Sequence, residues 1–189
     1  MAILEAKSLS FSYPKSENNA LTDLSFSVER GQFVLLMGKS GSGKSTLLHL
    51  LKPEIAPYGT LQGNCNSSAE QIGFVFQNPD DSIVTDTVVS ELAFSLENRG
   101  ADSAEITRKI SECAAFFHIN HLLDKKTSTL SGGEKQLLSL AAAMMTAPEV
   151  LLLDEPCAQL DPASAEKFTE VLLRLNRELG TTVLMSTHT

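Results

Sequence analysis

The sequence predicts an α/β fold: a parallel β-sheet with helices between its strands, an N-terminal antiparallel β subdomain and an inserted helical lobe. Three observations carry this. Residues 32–37, 149–154 and 182–186 are short continuous apolar runs, the pattern of strands buried on both faces of a parallel sheet. A glycine-rich stretch after the first run leads straight into a helical run at residues 46–52. Between residues 86 and 145 the chain turns to helical periods instead.

Taken in order, residues 3–13 and 24–28 alternate apolar and polar side chains loosely around the turn-forming stretch Pro14-Lys15-Ser16-Glu17-Asn18-Asn19. That predicts an antiparallel edge meander. In the middle, Val88, Leu92 and Leu96, then Ile106, Ile110, Ala114 and Phe117, recur at three-to-four spacing. A further helical pattern over 163–179 is closed by Gly180 as a C-terminal cap, and the last strand follows it. The chain reads as one domain over 1–189, with a core at 1–77 and 146–189 and a helical subdomain at 78–145. Thr189 follows the last strand with no helix to cover it, so a C-terminally truncated fold is expected.

The charge balance excludes one class of function. Over 189 residues, 15 Lys+Arg against 23 Asp+Glu leave a net charge of −8. Sequence-independent nucleic-acid binding needs a basic surface to displace counterions, so no nucleic acid is expected as a partner. A 42% hydrophobic fraction supports a sizeable core. The longest apolar stretches, 33–37 and 150–153, fall far short of the roughly 20 residues that span a bilayer. Met1-Ala2-Ile3-Leu4-Glu5 lacks the pattern of an export signal, so a cytoplasmic chain is expected. Cys65, Cys113 and Cys157 are odd in number and irregularly spaced, and read as free thiols.

Chemistry enters with Gly38-Lys39-Ser40-Gly41-Ser42-Gly43-Lys44-Ser45, which fits G-x-x-x-x-G-K-[ST] between a strand and a helix. Its backbone N–H groups can converge on phosphate oxygens, Lys44 can reach the outer phosphates and Ser45 can ligate Mg²⁺. A P-loop nucleotide-hydrolase core follows. The run Val150-Leu151-Leu152-Leu153 ends in Asp154 and Glu155, at the sheet edge where open α/β folds bind ligands. Asp154 can hold the Mg²⁺ shell, and Glu155 can polarise a water for attack on the γ-phosphate. Leu130-Ser131-Gly132-Gly133-Glu134 places paired glycines before a helix, a second anion-receptive N-terminus that a single site does not need.

These motifs, in this order and with His188 after the last strand, resemble the ATP-binding cassette family over essentially the whole chain. The resemblance implies an ATPase that uses ATP and Mg²⁺. It also implies a head-to-tail dimer with a second, identical or different, cassette, each ATP lying between the phosphate loop (Gly38 to Thr46) of one subunit and Ser131-Gly132-Gly133 of the other. Residue by residue, it implies that Tyr13 stacks on adenine and that Gln77 contacts Mg²⁺ or the attacking water and links the helical lobe to the core. Asp161 lies on the loop that crosses the dimer interface, and His188 contacts the γ-phosphate.

Within the family, the segments from Gln77 to Val84 and from Ser90 to Asn98 look like energy-coupling-factor importers of the vitamin and cobalt/nickel type. That implies a transmembrane partner docked after Gln77, a cassette lying on the inner face of the cell membrane, and no direct contact with the transported substrate. The alternative is a soluble cassette acting on DNA or ribosomes. The 87 positions from Lys44 to Ser131 leave no room for a long coiled-coil insertion. Three departures stand out: Leu137 where many cassettes have Arg, Cys157-Ala158-Gln159 in the interface loop, and Thr189 where an Asp is usual.

Overall fold

The computed structural model describes residues 2–188. Strands β1 (Ala2–Ser12) and β2 (Leu21–Glu29) pair antiparallel, as the alternation predicts, with register Leu4↔Val28 and Phe11↔Leu21. The chain then runs through β3 (Phe33–Met37) and α1 (Lys44–Leu50) to β4 (Thr60–Ser67). β4 joins the free side of β1, so the first sheet has the order β2-β1-β4 rather than a two-strand edge. Sequence reasoning missed β4 because Leu61 and Cys65 are its only apolar residues and most of it is exposed. Its strand state is imposed by the backbone of β1.

The second sheet is parallel, with β3, β5 (Ile72–Val75), β6 (Val150–Leu153) and β7 (Thr182–Thr187) in the order β3-β7-β6-β5. β6 matches its expected environment. Val150 and Leu152 point into one hydrophobic cluster, Leu151 and Leu153 into the other, and all four are fully buried. β3 does not. It stands at the edge of the sheet, where Leu35 is 49% and Met37 68% exposed, so its continuous apolar run is covered on one face only.

Helices α2 (Val88–Glu97), α3 (Ser103–Phe117) and α4 (Gly132–Met144) fill the stretch with helical periods. Val88, Leu92, Leu96, Ile110, Ala114 and Phe117 are buried, and Ile106 packs partly buried against them. Helix α5 (Pro162–Leu179) ends at Gly180, whose φ of 69° makes the cap that the glycine predicts. Thr87, Asp102, Ser131 and Asp161 cap the N-termini of α2 to α5 through side-chain oxygens. Helix α1 starts two residues before the predicted run and stops two before its end. The residue before Pro53 is driven out of the helical region, to φ −120° and ψ 97°.

One core cluster lies between the antiparallel sheet, α1 and one face of the parallel sheet, with Leu4, Leu9, Phe11 and Leu48 at its centre. The other joins the opposite face to α2–α5 through Leu92, Phe117, Leu140 and Leu172. The parallel sheet is thus the shared middle layer, and its C-terminal edge is held from both sides. No helix among the described residues is long and apolar enough to cross a membrane. Thr189 lies outside the described residues.

Candidate functional site

All four parallel strands end at one edge of the sheet, and each delivers a candidate residue there. β3 runs into the loop 38–43, β5 into Gln77, β6 into Asp154 and Glu155, and β7 into His188. A cavity of about 380 Å³ at this edge is lined by Tyr13, residues 40–46, Gln77, Glu155 and His188. Five segments that are remote in sequence therefore share one space.

The loop is shaped by glycines. Gly43 has φ +91°, and a Cβ there would lie 2.5 Å from the carbonyl oxygen of Ala20. Only glycine lets the loop pass this close to the antiparallel sheet. Lys44 folds back over the loop, donating to the carbonyls of Gly38 at 2.7 Å and Lys39 at 3.2 Å. Its Nζ also stands 3.3 Å from Glu155 Oε1, in a pair whose side chains are 8% and 10% exposed. The other Glu155 oxygen, Oε2, pairs with His188 Nε2. Lys44 and His188, which both face the cavity, are thus held by one carboxylate.

Tyr13 is 40% exposed, packs edge-on against Phe11 at 5.1 Å and shares a hydrogen bond of 3.0 Å with Thr46 Oγ1. Held by these two contacts, the ring lines the cavity. Asp154 is buried and, unlike Glu155, does not line the cavity: its Oδ1 accepts from the Ser186 hydroxyl at 2.7 Å. That hydroxyl accepts in turn from the Glu155 N–H at 2.8 Å. Glu155 itself has φ 44°, a left-handed conformation costly for a residue with a Cβ.

A divalent ion fits this donor set. Ser45, Gln77 and Asp154 offer only oxygen ligands, the choice of a hard cation such as Mg²⁺. Among the described residues no group of three or more His, Cys, Asp or Glu could hold a metal by itself. An ion here must complete its shell with substrate phosphate oxygens and water, as Mg²⁺ commonly does.

The remaining candidates lie elsewhere. Ser131 caps α4 in a capping box, with Glu134 N–H donating to its hydroxyl at 3.3 Å and its own N–H donating to Glu134 Oε2 at 2.8 Å. That backbone bond is the largest cause holding the Glu134 carboxyl below the usual carboxylate range. Ser131 and Gly132 are exposed, and neither lines the cavity of Lys44. A Cβ on Gly133 would lie 2.6 Å from Ser164 Oγ, so packing on α5 demands that glycine. A Cβ on Gly132 would meet nothing within 4 Å, so no contact within the chain does. Asp161 accepts from Ala163 N and Ser164 N at 3.1 Å as the cap of α5, and its hydrogen bonds with Ser164 hold its carboxyl low. This local role accounts for the residue within the chain. Leu137, where many cassettes have Arg, is buried at 5% exposure.

Sequence reasoning missed a set of links between α4 and the segment after β5. Gln136, 1% exposed, donates through Nε2 to the carbonyl of Phe76 at 3.0 Å. Lys135 pairs with Asp80 at 2.6 Å, and Ser82 shares a hydrogen bond of 2.8 Å with Ser139. A cavity of about 140 Å³ here is lined by Gln77, Gly132, Gln136 and Gln159 among others. Gln77 therefore borders both the Lys44 cavity and the start of α4. The signal present in the sequence was the run of polar residues on an otherwise apolar helix; their partners lie some 60 positions away.

Comparison with known proteins agrees with this arrangement. A family model described as ABC transporter matches residues 21–158. The chain is 46% identical over 200 residues to a putative ABC transporter ATP-binding protein of Bacillus anthracis, covering 100% of this chain and 36% of that protein. It is 37% identical over 195 residues to the energy-coupling factor transporter ATP-binding protein EcfA1 of Lacticaseibacillus paracasei, covering 98% of this chain and 70% of that one. Among solved structures it resembles the dimeric ATP-binding cassette MJ0796 bound to ADP and Pi, in a post-hydrolysis state. There the TM-score is 0.83 at 29% identity, over 98% of this chain and 88% of that one. The chain thus spans little more than a third of the length of the first of these relatives.

Proposed function

The chain belongs to the ABC transporter family, and on that premise we propose that it binds and hydrolyses Mg-ATP to power a membrane importer. The observation that carries the reading is the meeting of Lys44, Gln77, Glu155 and His188 around the loop 40–46, while Ser131 and Gly132 lie exposed outside that cavity.

The loop cradles the phosphates with backbone N–H groups, and Tyr13 offers its ring to adenine. Lys44 exchanges Glu155 for the γ-phosphate, since a phosphate carries more charge and adds acceptors that a carboxylate lacks. Ser45, Asp154 and Gln77 would hold Mg²⁺, which would supply neutralisation of charge on the phosphate oxygens. Glu155, released from Lys44, polarises the attacking water and accepts its proton, and His188 turns to the γ-phosphate.

The exposed Ser131 and Gly132 are supplied to the cavity of a second cassette, identical or different, in head-to-tail association. This accounts for Gly132, whose lack of a side chain serves nothing within its own chain. The dimeric state of the similar cassette MJ0796 supports an association of two cassettes. In this arrangement Asp161 stands at the interface. Residues 78–145 act as the helical subdomain on a core of 1–77 and 146–189. The surface after Gln77, with exposed Val84, Val89 and Phe94, receives a transmembrane subunit and holds the cassette at the inner membrane face. The EcfA1 relative favours an importer of the vitamin or transition-metal type, whose cargo the cassette does not touch.

Sedimentation of Glu155→Gln with and without Mg-ATP tests the reading, with Lys44→Ala as control. ATP-dependent conversion of monomer to dimer, absent in the control, is the expected result. A cassette that binds ATP and stays monomeric at high protein concentration would refute a composite site shared by two copies of this chain.

A further inference from the structure

Ser186 is fully buried on β7, opposite Leu36 of β3 and one position past the Leu153↔Met185 pair that closes the register with β6. It therefore sits beside the two carboxylates where β6 ends. A hydroxyl has one proton to give. The Glu155 N–H can only donate, so it takes a lone pair of Ser186 Oγ at 2.8 Å. The Ser186 proton then goes to Asp154 Oδ1 at 2.7 Å. The direction of this short chain is set by its members.

We infer that Ser186 is the positioning residue for the metal side of this site: its one hydroxyl holds Asp154 to receive the divalent ion and pins the Glu155 backbone so that the two carboxylates diverge. The inference rests on the reading of the cavity as a Mg-nucleotide site. Two features carry it beyond the ordinary satisfaction of a buried serine. Both bonds go to the residues that the chemistry needs, and one of them restrains a backbone at φ 44°, a conformation that costs a residue with a Cβ and that few others in the chain adopt. With Oδ1 engaged, rotation of the Asp154 carboxylate is stopped, and Oδ2 is the oxygen for the ion. Partners that orient a metal ligand in this way matter nearly as much as the ligand.

Three measurements on Ser186→Ala and Ser186→Thr test this: ATP affinity in EDTA, Mn²⁺ affinity by electron paramagnetic resonance with saturating non-hydrolysable ATP analogue, and urea unfolding. Ser186→Ala should weaken Mn²⁺ binding about tenfold while metal-free ATP affinity stays within about twofold, and Ser186→Thr, which keeps the hydroxyl, should restore it. Unchanged Mn²⁺ affinity in a folded alanine variant overturns the inference. So does an equal loss of metal-free ATP binding, which marks a general disturbance of the fold. Should the alanine variant fail to fold, Ser186→Cys, close in volume and poor in hydrogen bonding, carries the same comparison. A wild-type chain that binds no nucleotide at all overturns the Mg-nucleotide reading instead, and the inference with it.

Discussion

Glu155 pairs with Lys44, the group that the proposed mechanism turns to the γ-phosphate, so Glu155→Gln should bind ATP more tightly than the wild type. At 3.3 Å and an effective dielectric of about 20, Lys44 and Glu155 attract by roughly 5 kcal/mol. Most of this is offset, because burying both charges costs solvation. Lys44 keeps its bonds to the carbonyls of Gly38 and Lys39 in either variant, so only the carboxylate contact is exchanged. If about 1.4 kcal/mol of the attraction survives the offset, ATP affinity rises about tenfold when the charge is removed. Isothermal titration with ATP in EDTA measures this without turnover. With Mg²⁺ restored, hydrolysis by the same variant should fall by about two to four orders of magnitude, the loss expected when a general base is removed. Equal or weaker ATP binding by Glu155→Gln would show that the carboxylate does not compete for Lys44. Wild-type turnover would move the base elsewhere.

Other outcomes follow from the same geometry. Gly43→Ala should lose at least about 2 kcal/mol of stability in urea titration, because φ +91° is unfavourable for alanine and the new methyl meets the Ala20 carbonyl; an unchanged midpoint would contradict the packing of the loop. Burial pushes the Cys113 thiol up to about 12, so native alkylation by iodoacetamide should be about a thousandfold slower than for an exposed thiol, and fast in urea by mass spectrometry. Cys65 and Cys157, raised by burial as well, should also react slowly. The Glu134 carboxyl is held low by the Ser131 N–H, so its contribution to stability is present above the unfolded carboxylate value and lost as pH falls through the lower folded value. The melting-temperature gap between wild type and Glu134→Gln should therefore be widest near neutral pH and close in acid; a gap that grows in acid would reverse the assignment.

Local order along the chain was enough for much of the fold and most of the candidate site. Helices α2 to α5 announce themselves through periodic apolar residues, and β6 and β7 through short apolar runs, because in these elements each side chain's environment is set by the element's own period. The phosphate loop, Asp154, Glu155 and His188 are legible for a similar reason: a strand end followed by a particular residue determines where that residue stands. What needed tertiary structure depends on partners remote in sequence. β4 is a strand only because β1 offers it an edge, and β3 is half bare because nothing among the described residues covers the face that carries Leu35 and Met37. The bond from Ser186 to Asp154 spans 32 positions and that from Gln136 to Phe76 spans 60. Sequence by itself determined which residues stand at strand ends and helix caps, since those follow from neighbours along the backbone. Only packing decided which of them touch, because a side-chain hydrogen bond across the sheet is formed by the geometry of layers and leaves no periodic trace in either partner's own segment.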